Sequence, residues 1–176
     1  MRLVKGGQVV EDRFVRVLDD ASLPDGVPVL LPAARFLADS AELLLRSGLT
    51  GVLWPNNRKI AELAPHLGRL ALVALAFPTF RDGRAYSQAR QLREYYGFRG
   101  ELRATGDILQ DEFVFMVRAG FDALEVKKDS DAEVFATALQ RYSVFYQPAA
   151  DGRSSAFRRR LERAGTPQPV AVAVSR

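Results

Sequence analysis

The polar residues hardest to explain as solvated surface fall between Phe77 and Glu112, in FPTFRDGRAYSQARQLREYYGFRGELRATGDILQDE. Two places in it have residue types suited to binding. Arg81-Asp82-Gly83-Arg84 joins an apolar run to a helical stretch. Gly83 accommodates a turn, the two guanidinium groups offer paired donors, and the following helix presents free backbone N–H groups, so the turn suits a phosphate, sulfite or carboxylate. The plainer alternative is a solvated turn in which Asp82 neutralises an arginine. Arg103-Ala104-Thr105-Gly106-Asp107 is the second place. Strand alternation puts Arg103 and Thr105 on one face, and an arginine inside a strand must face a partner or a cleft. If the two preceding strands are neighbours, both turns converge at the carboxyl edge of one sheet, where α/β folds hold ligands.

Further candidates surround these. Asp107, with Gln110 three residues on, reads as a helix N-cap of the capping-box kind, and Asp111 and Glu112 then sit in a first helical turn whose dipole favours acids. Acid–base chemistry by Asp107 or Asp111 is the alternative role. Trp54-Pro55-Asn56-Asn57 ends an earlier strand on the same edge. There Trp54 can stack on a flat ligand while Asn57 binds it, set against a core indole and a helix cap. Tyr86 and Ser87 open the helix after the arginine turn and can reach the same ligand. His66, after Pro65, reads as surface structure, and Phe113, Phe115, Met116 and Val117 as a buried helix face.

The elements that must position these residues are βα units. An opening hairpin, Leu3–Lys5 and Gln8–Val10 around Gly6-Gly7, is extended in this reading by Phe14, Val15 and Val17. Strands are expected at 27–31, 49–54, 70–77, 100–105 and 121–126. Helices are expected at 33–46 with a break near Asp39-Ser40, at 57–67, at 84–96 ended by Gly97, at 108–119 ended by Gly120, and at about 131–142. The apolar run LALVALAF suits a strand buried on both faces. The fold class is therefore α/β: about five βα units forming a mostly parallel sheet, either part of a barrel or a small doubly wound sheet, with an N-terminal hairpin. At 176 residues the chain is too short for eight units, and an open sheet has edges, which makes a homodimer the expected assembly.

Composition excludes several chemistries. The chain contains no cysteine and a single histidine, which rules out disulfides, cysteine-ligated clusters and a thiol nucleophile of its own, and argues against a zinc site; no metal ligand set is expected. No nucleotide-binding fingerprint is present, and no cofactor is identifiable. With no apolar run long enough to span a bilayer and no apolar signal core after Met1, the expected location is the cytoplasm, away from membranes. The net charge of +4 arises in residues 151–176, where six arginines face two acids, leaving residues 1–150 neutral, so nucleic acid is not an expected partner. The domain reading is one α/β domain over 1–148 and a basic, flexible tail over 149–176. Within the tail, Ala156, Phe157, Leu161 and Ala164 can form a short amphipathic helix, a docking arm for an acidic partner surface, and Val170–Val174 can add a strand.

The run FPTFRDGRAYSQARQLREYYGFRGELRATGDILQDEF, followed by RAGFDALEV, closely resembles a bacterial family known as domain of unknown function 934. The likeness covers about residues 8–142. It implies a cytoplasmic role in assimilatory sulfate reduction, since family genes commonly neighbour that of the sulfite reductase hemoprotein and members often carry an oxidoreductase label. The positions matched are Phe80, Asp82, Gly83, Arg84, Tyr86, Ser87, Arg90, Arg93, Glu94, Gly97, Gly100, Glu101, Arg103, Gly106, Asp107 and Asp111. Three functions compete: an accessory of sulfite reduction with Arg81, Arg84 and Arg103 contacting an anion or the hemoprotein; a small enzyme on an anionic metabolite using Asp107 or Asp111; and a non-catalytic dimeric interaction protein.

Overall fold

The computed structural model describes residues 2–141 and 144–164. Eight strands form one sheet: β1 (Arg2–Lys5), β2 (Gln8–Val10), β3 (Val15–Arg16), β4 (Val29–Pro32), β5 (Thr50–Trp54), β6 (Leu72–Phe77), β7 (Glu101–Gly106) and β8 (Ala123–Val126). Their spatial order is β2-β1-β8-β7-β6-β5-β4-β3. Strands β3 to β8 run parallel, while β1 is antiparallel to both β8 and β2. The helices are α1 (Ala33–Ala38), α2 (Ser40–Leu43), α3 (Arg84–Arg90), α4 (Phe113–Ala119), α5 (Ser130–Gln140) and α6 (Ala156–Ala164). A π-helical turn, Gln91–Tyr95, prolongs α3.

The sheet is curled into a half-barrel for a reason visible in the connectivity. Strands β2 and β3 occupy opposite edges, yet only residues 11–14 join them. Five residue steps reach at most about 18 Å, whereas eight flat strands would hold their edges about 34 Å apart. The edges must therefore approach, and the segment 11–14 becomes a strap across the concave face. Phe14 on the strap is buried against Leu30, Leu72 and Ala74. The convex face carries the main core, where Val29, Leu31, Val52, Trp54, Val73, Leu75, Phe77, Leu102 and Leu124 meet Phe36, Ala89, Phe113 and Phe135.

The partial barrel is thus the realised form of the expected α/β class, with five βα units and the hairpin turning through Gly6 and Gly7 at φ +59° and +84°. Three local expectations are corrected. Val15 does not extend the hairpin; it pairs with Val29 at the far edge. The stretch 57–67 is not one helix but two 3-10 segments, Ile60–Glu62 and Ala64–Arg69, the second holding Pro65, which cannot donate to a helical ladder. Phe115 is not on the buried face of α4: Phe113 and Met116 are buried, while Phe115 is 66% exposed. The short amphipathic helix of the tail is present as α6, and the expected strand 170–174 lies outside the described residues. Among the described residues no helix is long and apolar enough to cross a membrane.

Candidate functional site

Arg103 and Thr105 share the concave face, as strand alternation requires, but Arg103 faces the strap and not a ligand cleft. Its side chain is 1% exposed. Its Nη1 and Nη2 donate to both oxygens of Asp12 (2.6 and 3.0 Å), Nε and Nη2 to Glu101 (3.0 and 2.8 Å), and Nη1 to Glu125 (3.2 Å). Thr105 donates to Glu125 (2.5 Å), Arg16 of β3 bonds both Thr105 and Glu125, and Lys5 pairs with Glu101 (3.1 Å). Three cations thus meet three carboxylates, and the cluster is neutral. Burial alone would push the Asp12 carboxyl up, but bonds from Arg103 and the Phe14 N–H, with the charges of Arg103 and Arg16, hold it below its ordinary value. Burial would lower Arg103, and its carboxylate partners raise it instead. The expected convergence of Arg103 with the arginine turn does not occur, because Arg103 points to the concave face and α3 covers the convex one. Asp12, Arg16 and Glu125 were missed in the sequence. A signal for Glu125 existed: it is an acid inside the apolar strand FDALEV, one position beyond the Ala104–Leu124 pair and so beside Thr105.

The arginine turn meets Asp107 instead. Asp107 N–H donates to Phe77 O (2.8 Å), its Oδ2 accepts from Phe80 N–H (3.2 Å), and its Oδ1 from Lys127 (3.3 Å). It is therefore a clasp between two loops and not the expected N-cap; Gln110 bonds Asp131, and Glu112 takes the Leu109 N–H. Gly106 makes the clasp possible, for at φ +104° a Cβ there would lie 2.3 Å from Phe77 O. Asp111 is exposed on the 3-10 turn before α4.

Within the turn, Arg84 grips Asp82 through Nε (2.9 Å) and Nη2 (2.6 Å), and this bond, with Asn56 nearby, holds Asp82 well below the usual carboxylate range. Arg81 lies over the Phe80 ring, 5.4 Å from its centroid. Gly83 has φ −77°, and a Cβ there would meet only Tyr86 at 3.8 Å, so the turn does not depend on glycine. Tyr86 turns away from Arg84: it packs edge-on against Phe77 (5.3 Å) and Phe121, and burial, reinforced by Glu112 and Asp111, raises its hydroxyl pKa.

What Arg84 does line is a pocket of about 410 Å³ outside the sheet's carboxyl edge, together with Asn56, Arg58, Lys59, Ser87 and Gln88. Gln88 builds it by donating to Pro55 O (3.2 Å) and Arg58 O (2.9 Å), which fixes the loop after β5 against α3. Arg58 pairs with Glu62 (3.0 Å) and Arg84 with Asp82, while Lys59 has no ion-pair partner among the described residues. Three bases against two acids leave one positive charge. Trp54 is fully buried with Arg58 over its ring at 5.5 Å, so it is a core residue and cannot stack on a ligand. Asn57 is exposed, caps no helix and does not line the pocket; its neighbour Asn56 does.

Other family-matched positions serve the frame. Arg93 donates to Phe98 O, Gly100 O, Gly120 O and Asp122, tying α3 to the starts of β7 and β8, and Arg90 pairs with Glu94 across one helical turn. Among the described residues no group of three or more His, Cys, Asp or Glu is arranged to hold a metal ion. A search of curated proteins found no match. A family model described as bacterial protein of unknown function (DUF934) matches residues 51–157, which takes in β6 to β8, all of β5 but its first residue, and every residue of the pocket, but leaves out the strap. The chain belongs to this DUF934 family.

Proposed function

We propose that the protein is an accessory of assimilatory sulfite reduction, working beside the sulfite reductase hemoprotein, and that the pocket between the 58–61 segment and α3 receives a small oxyanion or an acidic group of that partner. The observation that carries the anion reading is the meeting of Arg58, Lys59 and Arg84 in one pocket at the carboxyl edge, with a positive charge left over. The family resemblance supports the pathway. The absence of cysteine supports a helper: sulfur or electron handling would need a bound group or another subunit.

The test is thermal unfolding with sulfite, sulfate and phosphate against chloride at matched ionic strength. An oxyanion is expected to raise the midpoint of the wild type, while Lys59→Ala with Arg84→Ala removes the shift, with circular dichroism checking that the variant keeps its fold. A shift that survives both substitutions sinks the pocket as its source.

A further inference from the structure

Helix α6 carries Phe157 and Leu161 four residues apart and 68% and 60% exposed, with Arg158, Arg159 and Arg160 around them. An apolar i, i+4 pair on a basic helix is the form of a helix that lies in a groove. The chain has such a groove. Helices α4 and α5 lie side by side and leave Phe115 (66%), Val134 (37%) and Tyr146 (84%) exposed around a trough of about 1020 Å³. Its wall, residues 145–147, is pinned by Arg118, whose guanidinium sits 3.9 Å from the Phe145 ring centroid and donates to Gln147 O (2.6 Å). Its lining carries Asp111 and Glu133 beside Arg118 and Arg141; neither acid has an ion-pair partner among the described residues, and the same is true of Arg159 and Arg160 on the helix.

We propose that two copies of the chain assemble by exchange, α6 of each seated in the α4–α5 groove of the other. The occupant is a second copy and not the chain's own helix, because α6 starts on the groove wall itself. Ser155 bridges Phe145, and Ala156 N–H donates to Phe145 O (2.7 Å). With no linker between wall and helix, α6 cannot fold back into its own groove without breaking that bridge. A second copy's helix enters with the bridge intact. One chain presents both halves of the contact, so a two-fold exchange satisfies both copies and closes. Phe157 and Leu161 supply the apolar anchors, and Arg159 and Arg160 meet Asp111 and Glu133.

Sedimentation of the full chain over a wide concentration range tests this with two variants. Phe157→Asp with Leu161→Asp spoils the helix; Phe115→Arg with Val134→Arg spoils the groove. All four positions are exposed in the single chain, and circular dichroism checks that each variant keeps its fold. The wild type is expected to dimerise, each variant to dissociate about 100-fold more readily or worse, and a mixture of the two to associate more strongly than either alone, since one copy supplies a sound helix and the other a sound groove. A wild type that stays monomeric, a dimer indifferent to both variants, or a mixture no stronger than its components overturns the proposal.

Discussion

Replacing Arg103 with Met keeps a long apolar stem beneath Phe14 and removes only the guanidinium. Five hydrogen bonds to Asp12, Glu101 and Glu125 are lost from a site 1% exposed. Breaking a buried ion pair from one side costs about 3–5 kcal/mol, because the stranded charges remain desolvated. Each stranded carboxylate here has some relief. Glu101 keeps Lys5, Glu125 keeps Arg16 and Thr105, and Asp12, already 31% exposed, can rehydrate by lifting the strap. The loss should therefore fall near the low end, about 3 kcal/mol. Urea unfolding followed by the fluorescence of Trp54, the sole tryptophan, measures it. Asp12→Asn in the Arg103→Met background should restore at least about 1 kcal/mol, since it removes one stranded charge. A loss under about 1 kcal/mol, or additive costs for the two changes, would refute the reading of this cluster as the latch that holds the strap.

Three further outcomes follow from single contacts. Because the Asp12 carboxyl titrates below its ordinary value of 3.8 when folded, its contribution to stability is complete above about pH 3.8 and fades as pH falls through the folded value. Asp12→Asn should therefore flatten the acid limb of the stability profile, and an unchanged limb speaks against the pairing. Gly106→Ala, at φ +104° and with Phe77 O in the way of its Cβ, should cost on the order of 2–3 kcal/mol in chemical unfolding. Arg93→Met strands the carbonyls of Phe98, Gly100 and Gly120 and should cost about 2–3 kcal/mol, with amide exchange accelerating first at the starts of β7 and β8.

Local chemistry was legible in the sequence wherever it decides the outcome. The apolar run ending at Phe77 became the central strand β6, the helix after Pro32 broke at Asp39, and of the two outcomes open to an arginine in a strand, a partner or a cleft, Arg103 took the partner. What stayed hidden depends on contacts far along the chain. A two-residue strand, Val15–Arg16, carries no periodicity, so nothing local says that it crosses to the far edge and makes Phe14 a plug and Asp12 the partner of a residue 91 positions away. The arginine turn was ambiguous for another reason: an Asp between two arginines serves equally as neutraliser or bystander, and only the bidentate grip on Arg84 decides for the former. The surplus charge passed to Lys59, on a stretch read as plain helix. Trp54 and Asn57 show the same limit, since which of several adjacent residues faces inward depends on the register of β5 against β4 and β6.

Sedimenting the purified protein with the sulfite reductase hemoprotein of the same organism, at low and moderate salt and beside the Lys59→Ala, Arg84→Ala double variant, tests the proposed accessory role. An accessory acting through this pocket should co-sediment with the hemoprotein at a fixed stoichiometry, and the variant should bind more weakly. Independent sedimentation under every condition, or equal binding by the variant, would contradict it.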